Sequence, residues 1–159
     1  MKSIILFASI ALASGLIFVN IYTSLVDAKS WGSNIPESIA VARDYFRNVN
    51  PGNFFRVFSP INQVLGLLTV IVFWKSAPTT RVYLVTAFVM YLLAEGLTFK
   101  YFYPRNDLMF RTADLTDSNL LKKIWSEWNT MNWVRTFILI IGVICAFLSL
   151  NRIYSIQSR

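Results

Sequence analysis

Long apolar runs alternate with polar connections along the chain. Four runs stand out: Ile4 to about Val26, Val57 to Trp74, Val82 to Phe99 and Trp133 to Leu150. Each approaches the ~20 apolar residues that carry a helix across a bilayer's hydrocarbon core. The second and third runs are separated only by Lys75 to Arg81, which contains Pro78. So short a connection makes them an antiparallel hairpin. Nothing breaks the pattern between Leu120 and Trp133, so the fourth helix should begin well before its apolar run. The predicted helices are about 3–27, 58–75, 79–101 and 119–152. Pro60 is expected in the first turn of the second, where a missing N–H costs little. The first run resembles a signal peptide, following Lys2 and carrying small residues from Ala11 to Gly15. Its apolar pattern continues through Ile21, which favours an uncleaved span.

Two longer connections complete the chain. In the first, Ile35, Ile39, Ala42 and Phe46 recur at helical spacing around Pro36, predicting a short amphipathic helix within 36–48. It should end at the turn signal Asn50-Pro51-Gly52-Asn53. Residues 101–119 read as irregular, with a new helix starting near Thr116 or Asp117. The expected fold is all-α: an integral membrane four-helix bundle, one domain over 1–159, with a short amphipathic helix in the first long connection.

The polar residues within the spans are not spread evenly. Span one is clean until Asn20, Thr23, Ser24 and Asp27, which share one helical face. Span two opens with Ser59, Asn62 and Gln63, span three closes with Glu95 and Thr98, and span four opens with Asn129, Asn132, Arg135 and Thr136. Alternating directions bring all four sets to one membrane surface, under the long connections. Polar groups in lipid spans turn toward the bundle interior, because lipid cannot satisfy them. Taken singly, each residue is also what interfacial anchoring produces, and Trp125, Trp128 and Trp133 suit an aromatic belt. Taken together, carboxylate, amide and guanidinium groups at one level predict a pocket in which Asn20, Asp27, Asn62, Glu95, Asn132 and Arg135 converge.

Composition agrees with a membrane chain and removes several function classes. Charged residues are 14% of the 159, against about 25% in soluble domains. The net charge is +7, but the basic residues are scattered and form no arm or basic helix, so anionic lipid headgroups rather than nucleic acid are the expected partners. Histidine is missing altogether, which removes the commonest metal ligand and general base. The single Cys145 lies in an apolar run and reveals nothing of the redox compartment. For orientation, Lys2, Lys75, Arg81, Arg152 and Arg159 lie on the side of the termini with no acid among them. A strict Lys/Arg count would put the long connections in the cytoplasm, whereas the short basic N-terminus favours cytoplasmic termini in a plasma (inner) membrane, which is the orientation preferred here.

Three short elements resemble those of a known family. Trp128-x-x-Met131-Asn132-x-Val134-Arg135-Thr136 resembles a W-x-x-W-N-x-V-R-T element of small bacterial and fungal four-span membrane proteins. The family is described as a domain of unknown function and includes the anthrone oxygenases. Pro104-Arg105-Asn106 resembles its P-x-N element, and Asn50-Pro51 another. Met131 stands where the pattern has its second Trp, and Trp133 where some relatives carry His. The resemblance implies a cofactor-independent oxygenase acting on a hydrophobic aromatic or lipid-like molecule. Such chemistry needs a base, donors for an oxyanion and a dry aromatic pocket. Glu95 or Asp27 would be the base, with Asn129, Asn132 and Arg135 holding the anion. Asn20, Asn62, Tyr101, Tyr103, Asn106, Trp128 and Trp133 would contact the substrate. A plain Glu95–Arg135 or Asp27–Arg135 ion pair is the structural alternative. The functional alternative is a non-catalytic binder of a lipid or hydrophobic metabolite, with an anionic headgroup on Arg56, Arg105 and Arg135, or an accessory subunit of a membrane complex.

Overall fold

The computed structural model describes residues 2–48, 50–112 and 115–157. Its elements are helical: α1 (Lys2–Trp31), α2 (Glu37–Tyr45), α3 (Pro51–Val72), α4 (Pro78–Phe110) and α5 (Ser118–Gln157). Helices α1, α3, α4 and α5 contain segments long and apolar enough to cross a membrane. Each packs on its two neighbours in the order α1–α3–α4–α5–α1, giving an antiparallel ring, and the α4–α5 interface is the most extensive. The outside is apolar: Ile4, Phe18, Val64, Val82, Phe137 and Ile144 are all exposed, as lipid-facing positions should be.

Several helix ends differ from expectation, each for a local reason. Helix α3 begins at Pro51 rather than near 58, because Asn50-Pro51-Gly52-Asn53 is a cap and not a turn. The Asn50 side chain accepts from the Gly52 N–H at 2.9 Å, and Asn53 Oδ1 accepts from the Asn50 N–H at 3.3 Å. Pro51 occupies the first helical position, so Pro60 falls inside the helix instead of in its first turn. Helix α4 does not stop near residue 101. It runs through a wide π-helical turn at Thr98–Phe102 and on to Phe110, so much of the connection read as irregular is helix. A second π turn, Thr23–Asp27, lets α1 continue to Trp31. Both turns open with a threonine whose hydroxyl donates to the carbonyl four residues back, Thr23 to Val19 and Thr98 to Ala94.

The core has two apolar halves. Near the termini, Leu6, Ile10, Ala13, Leu84, Tyr91, Val143 and Ala146 pack together. Beneath the long connections, Trp31, Ile39, Phe102, Met109, Leu121 and Trp128 form a second cluster. Helix α2 covers it through Ile39 and Ala42 while Val41 and Tyr45 face outward, the amphipathic split its spacing requires. Arg43 ties α2 down by donating to the Met109 and Leu115 carbonyls at 2.6 and 3.0 Å. The buried polar residues Asn20, Asn62, Asn132, Arg135 and Thr136 lie between these halves.

Candidate functional site

Arg135 organises this polar layer. It projects from α5 and is 5% exposed. Its Nη2 donates to Asn20 Oδ1 at 2.7 Å and to Asn132 Oδ1 at 2.5 Å, and its Nη1 donates to Thr98 Oγ1 at 3.2 Å. Asn132 is held in turn, donating from Nδ2 to Ser24 Oγ at 2.7 Å and to the Asn20 carbonyl at 2.9 Å. The guanidinium stacks 4.0 Å from the centroid of Phe102, with Phe55 at 5.1 Å. The π turns contribute directly: one carries Ser24, the other carries Thr98 and Phe102.

All of Arg135's side-chain acceptors are neutral, and no ion pair among the described residues joins it to a carboxylate. The expected Glu95–Arg135 or Asp27–Arg135 pair is therefore not formed. Glu95 lies beside Ser59 and within electrostatic reach of the guanidinium without forming an ion pair with it. A buried cation held by neutral groups alone keeps most of its charge available to a ligand.

The guanidinium forms part of the floor of an open cleft of about 810 Å3. The walls are aromatic: Trp31, Phe46, Phe55, Phe102, Tyr103, Phe110 and Trp128. Trp128 meets Trp31 and Phe102 edge to face, both at 5.3 Å, and donates from Nε1 to Asn106 Oδ1 at 2.7 Å. Toward the mouth lie Arg43, Arg47, Arg56 and Arg111, with Asp44 and Asp107. Those two carboxylates are engaged by Arg47 at 2.5 Å and Arg111 at 3.3 Å. On the far side of Arg135 a much smaller cavity is lined by Asn20, Ser59, Asn62, Gln63, Tyr91 and Glu95, and it shares Phe55, Thr98 and Arg135 with the cleft.

Of the residues expected to converge, Asn20, Asn62, Glu95, Asn132 and Arg135 meet around these two cavities. Tyr103, Asn106 and Trp128 line the cleft. Asp27, Tyr101, Asn129 and Trp133 line neither cavity. Trp133 follows Asn132 by one residue, about 100° around the helix, and is 42% exposed on the lipid side. Tyr101 lies under Arg105, which is 3.5 Å from its ring centroid. Arg105 pairs with Glu127 at 2.8 Å and so is no part of an anion site beside Arg56 and Arg135. Sequence reasoning missed Phe46, Phe102 and Phe110 as cleft walls, since a buried aromatic at helical spacing carries no mark that separates a pocket wall from a core residue.

These features define a class: a four-helix membrane bundle with a buried guanidinium, hydrogen-bonded to neutral acceptors, at the base of an aromatic cleft. The family elements are its working parts. Asn50 caps α3, Asn106 accepts from Trp128, and Asn132, Arg135 and Thr136 belong to one hydrogen-bonded stretch of α5. Residues 53–145, more than half of the chain, match the anthrone oxygenase family, and the chain belongs to it. No curated protein and no solved structure gives a significant match.

Proposed function

We propose that the protein is an oxygenase-like membrane enzyme that takes a hydrophobic aromatic carbon acid into the cleft and stabilises its anion on Arg135. The observation that carries this reading is the guanidinium itself, buried under an aromatic cleft and hydrogen-bonded only to neutral groups. In an anthrone, a base removes a proton from the ring methylene and charge collects on the carbonyl oxygen. That enolate oxygen would sit against Arg135, where a fixed cation in a poorly solvated place is most effective. The enolate carbon bonds to dioxygen, and the peroxide so formed takes up a proton. Loss of the second methylene proton then breaks the O–O bond, giving a ring carbonyl and water. One methylene and one dioxygen thus become one carbonyl and one water. Glu95, the carboxylate within electrostatic reach of the guanidinium, is the base we assign, acting through an intervening water because it lines the smaller cavity and not the cleft.

The test uses the full chain in lipid nanodiscs. An anthrone added without oxygen should show enolate absorbance above that in empty nanodiscs. Admitting oxygen should then yield the quinone faster than the empty discs do, and Arg135→Gln should abolish both effects. Quinone formation no faster than in empty discs would defeat the oxygenase reading.

One observation favours a second reading, binding without chemistry. The carboxylates on the cleft wall are committed to Arg47 and Arg111, and Glu95 opens on the smaller cavity instead. Enolate absorbance without faster quinone formation is its signature. Under either reading, the surrounding lipid is the remaining partner we assign, with the termini placed in the cytoplasm.

A further inference from the structure

The mouth of the cleft is unevenly neutralised. Arg47 is paired with Asp44 and Arg111 with Asp107, while Arg43 donates to the Met109 and Leu115 carbonyls. Arg56 also lines the cleft, yet it has no hydrogen bond or ion pair among the described residues. Its own helix offers it none, because α3 contains no Asp or Glu. Three residues before it, on the same helical face, Asn53 lines the cleft too. The capping box fixes that amide: Oδ1 accepts from the Asn50 N–H, which leaves Nδ2 as a donor with no partner among the described residues. A guanidinium and an amide N–H side by side can only donate. The two oxygens of a carboxylate accept from both.

We propose that Asn53 and Arg56 form a carboxylate subsite, and that the cleft takes aromatic molecules with two acidic groups: a phenolic or enolic oxygen for Arg135 and a carboxylate for Arg56. One continuous space of about 810 Å3 touches all three residues. Phe55, which directly precedes Arg56, holds its ring 5.1 Å from the Arg135 guanidinium, so one aromatic wall joins the two cations. The charge fits as well. Five arginines and two aspartates line the cleft among the described residues, so even a dianion leaves it positive. A lipid phosphate would use the same donors at the mouth, but it has no use for aromatic walls or for a second cation at their base. The proposal names the substrate class of the oxygenase-like reading and rests on Arg135 as its anion anchor, not on the reaction with oxygen.

Titration of the full chain in phosphatidylcholine nanodiscs, without oxygen, tests the subsite. The probe is a hydroxyanthraquinone carboxylate at a pH where its phenol is ionised. Its carboxamide, with the same rings and phenol, is the comparison. The carboxylate should bind the native chain about tenfold tighter, a modest gain because Arg56 is exposed. Arg56→Gln should erase that ratio while leaving the carboxamide's affinity and the Tm nearly unchanged, since no protein partner is lost. Arg81→Gln, near the start of α4 at the opposite membrane face, should keep the ratio and controls for anions gathering on a basic protein. A carboxylate bound no tighter than the carboxamide, a ratio that survives in Arg56→Gln, or one lost equally in Arg81→Gln would overturn the proposal. So would phosphatidylglycerol that mixed-lipid discs retain on the native chain but not on Arg56→Gln, if the carboxylate probe does not displace it, because Arg56 would then belong to a lipid headgroup. Binding of the phenolate without any carboxylate preference removes the subsite alone. No phenolate binding at all removes the Arg135 anchor and the subsite together. Slow quinone formation in the oxygenase assay touches neither.

Discussion

Asn132→Asp changes one side chain's charge almost without changing its shape. Asn132 Oδ1 already lies 2.5 Å from Arg135 Nη2, so the substitution puts a carboxylate in contact with the guanidinium and forms the ion pair that the native bundle lacks. The cost to the fold is small. The donor to Ser24 Oγ is lost, but that hydroxyl can turn and donate; the Asn20 carbonyl loses a bond worth about 1 kcal/mol and faces a carboxylate oxygen instead, a repulsion that the new contact with the guanidinium offsets. The consequence for an anion in the cleft is much larger. An oxyanion on the free side of the guanidinium would sit about 5–6 Å from the new carboxylate, and at an effective dielectric of about 20 their repulsion is roughly 3 kcal/mol. That weakens anion binding roughly a hundredfold. A hydroxyanthraquinone whose phenol and phenolate absorb at different wavelengths makes a convenient probe. Titrated against the protein in nanodiscs, the phenolate should bind the native chain and lose about two orders of magnitude in Asn132→Asp, while its neutral methyl ether loses far less. If phenolate and ether weaken equally, or neither weakens, Arg135 is not the anion anchor.

Four substitutions test the framework around the site, each read by thermal unfolding in detergent. Gly142→Ala drives a methyl to 2.7 Å from the Tyr91 ring and should cost about 1–3 kcal/mol, whereas Gly15→Ala has open space and should be neutral or gain up to about 1 kcal/mol from helix propensity. Asn50→Ala removes the cap of α3 and should cost about 1 kcal/mol. Trp128→Phe leaves Asn106 without its donor and should cost about 1 kcal/mol while weakening the phenolate and ether probes alike, because it alters the cleft wall and not its charge.

The spans were legible because lipid imposes a simple rule: apolar outside, backbone satisfied within. Their ends were not, because ends are set by single hydrogen bonds. Asn50-Pro51-Gly52-Asn53 contains the residues of a turn and also those of a capping box, and only the reciprocal bonds decide between them. The third span was expected to end near residue 101, ahead of Pro104. That proline lies two residues beyond a π turn, where the hydrogen-bond ladder is already shifted and a missing N–H interrupts less. That shift also rotates everything beyond it. Tyr101 and Arg105 turn away from the cleft while Phe102, Tyr103 and Asn106 turn toward it. By contrast, the meeting of Asn20, Asn62, Glu95 and Asn132 around Arg135 followed from span direction and depth alone, because polar groups in lipid have few other places to go.

The same rule divides the bundle into two parts with different duties. Toward the termini the helices are held by close packing, with Tyr91 wedged against Gly66 of α3 and Gly142 of α5. Packing of this kind resists displacement, and it sets the distances of the walls on which Arg135, Asn132 and Asn20 stand. Toward the long connections the helices part, and the space is filled by rings that leave a cleft. Stability and binding should therefore separate by position. Gly142→Ala should lower the unfolding temperature and leave the affinity of the phenolate probe nearly unchanged in the protein that remains folded. Asn132→Asp should do the reverse. If Gly142→Ala instead weakened the phenolate as much as Asn132→Asp does, the clamp would be coupled to the guanidinium. The physical route would then be the smaller cavity, which is lined by both Tyr91 and Arg135.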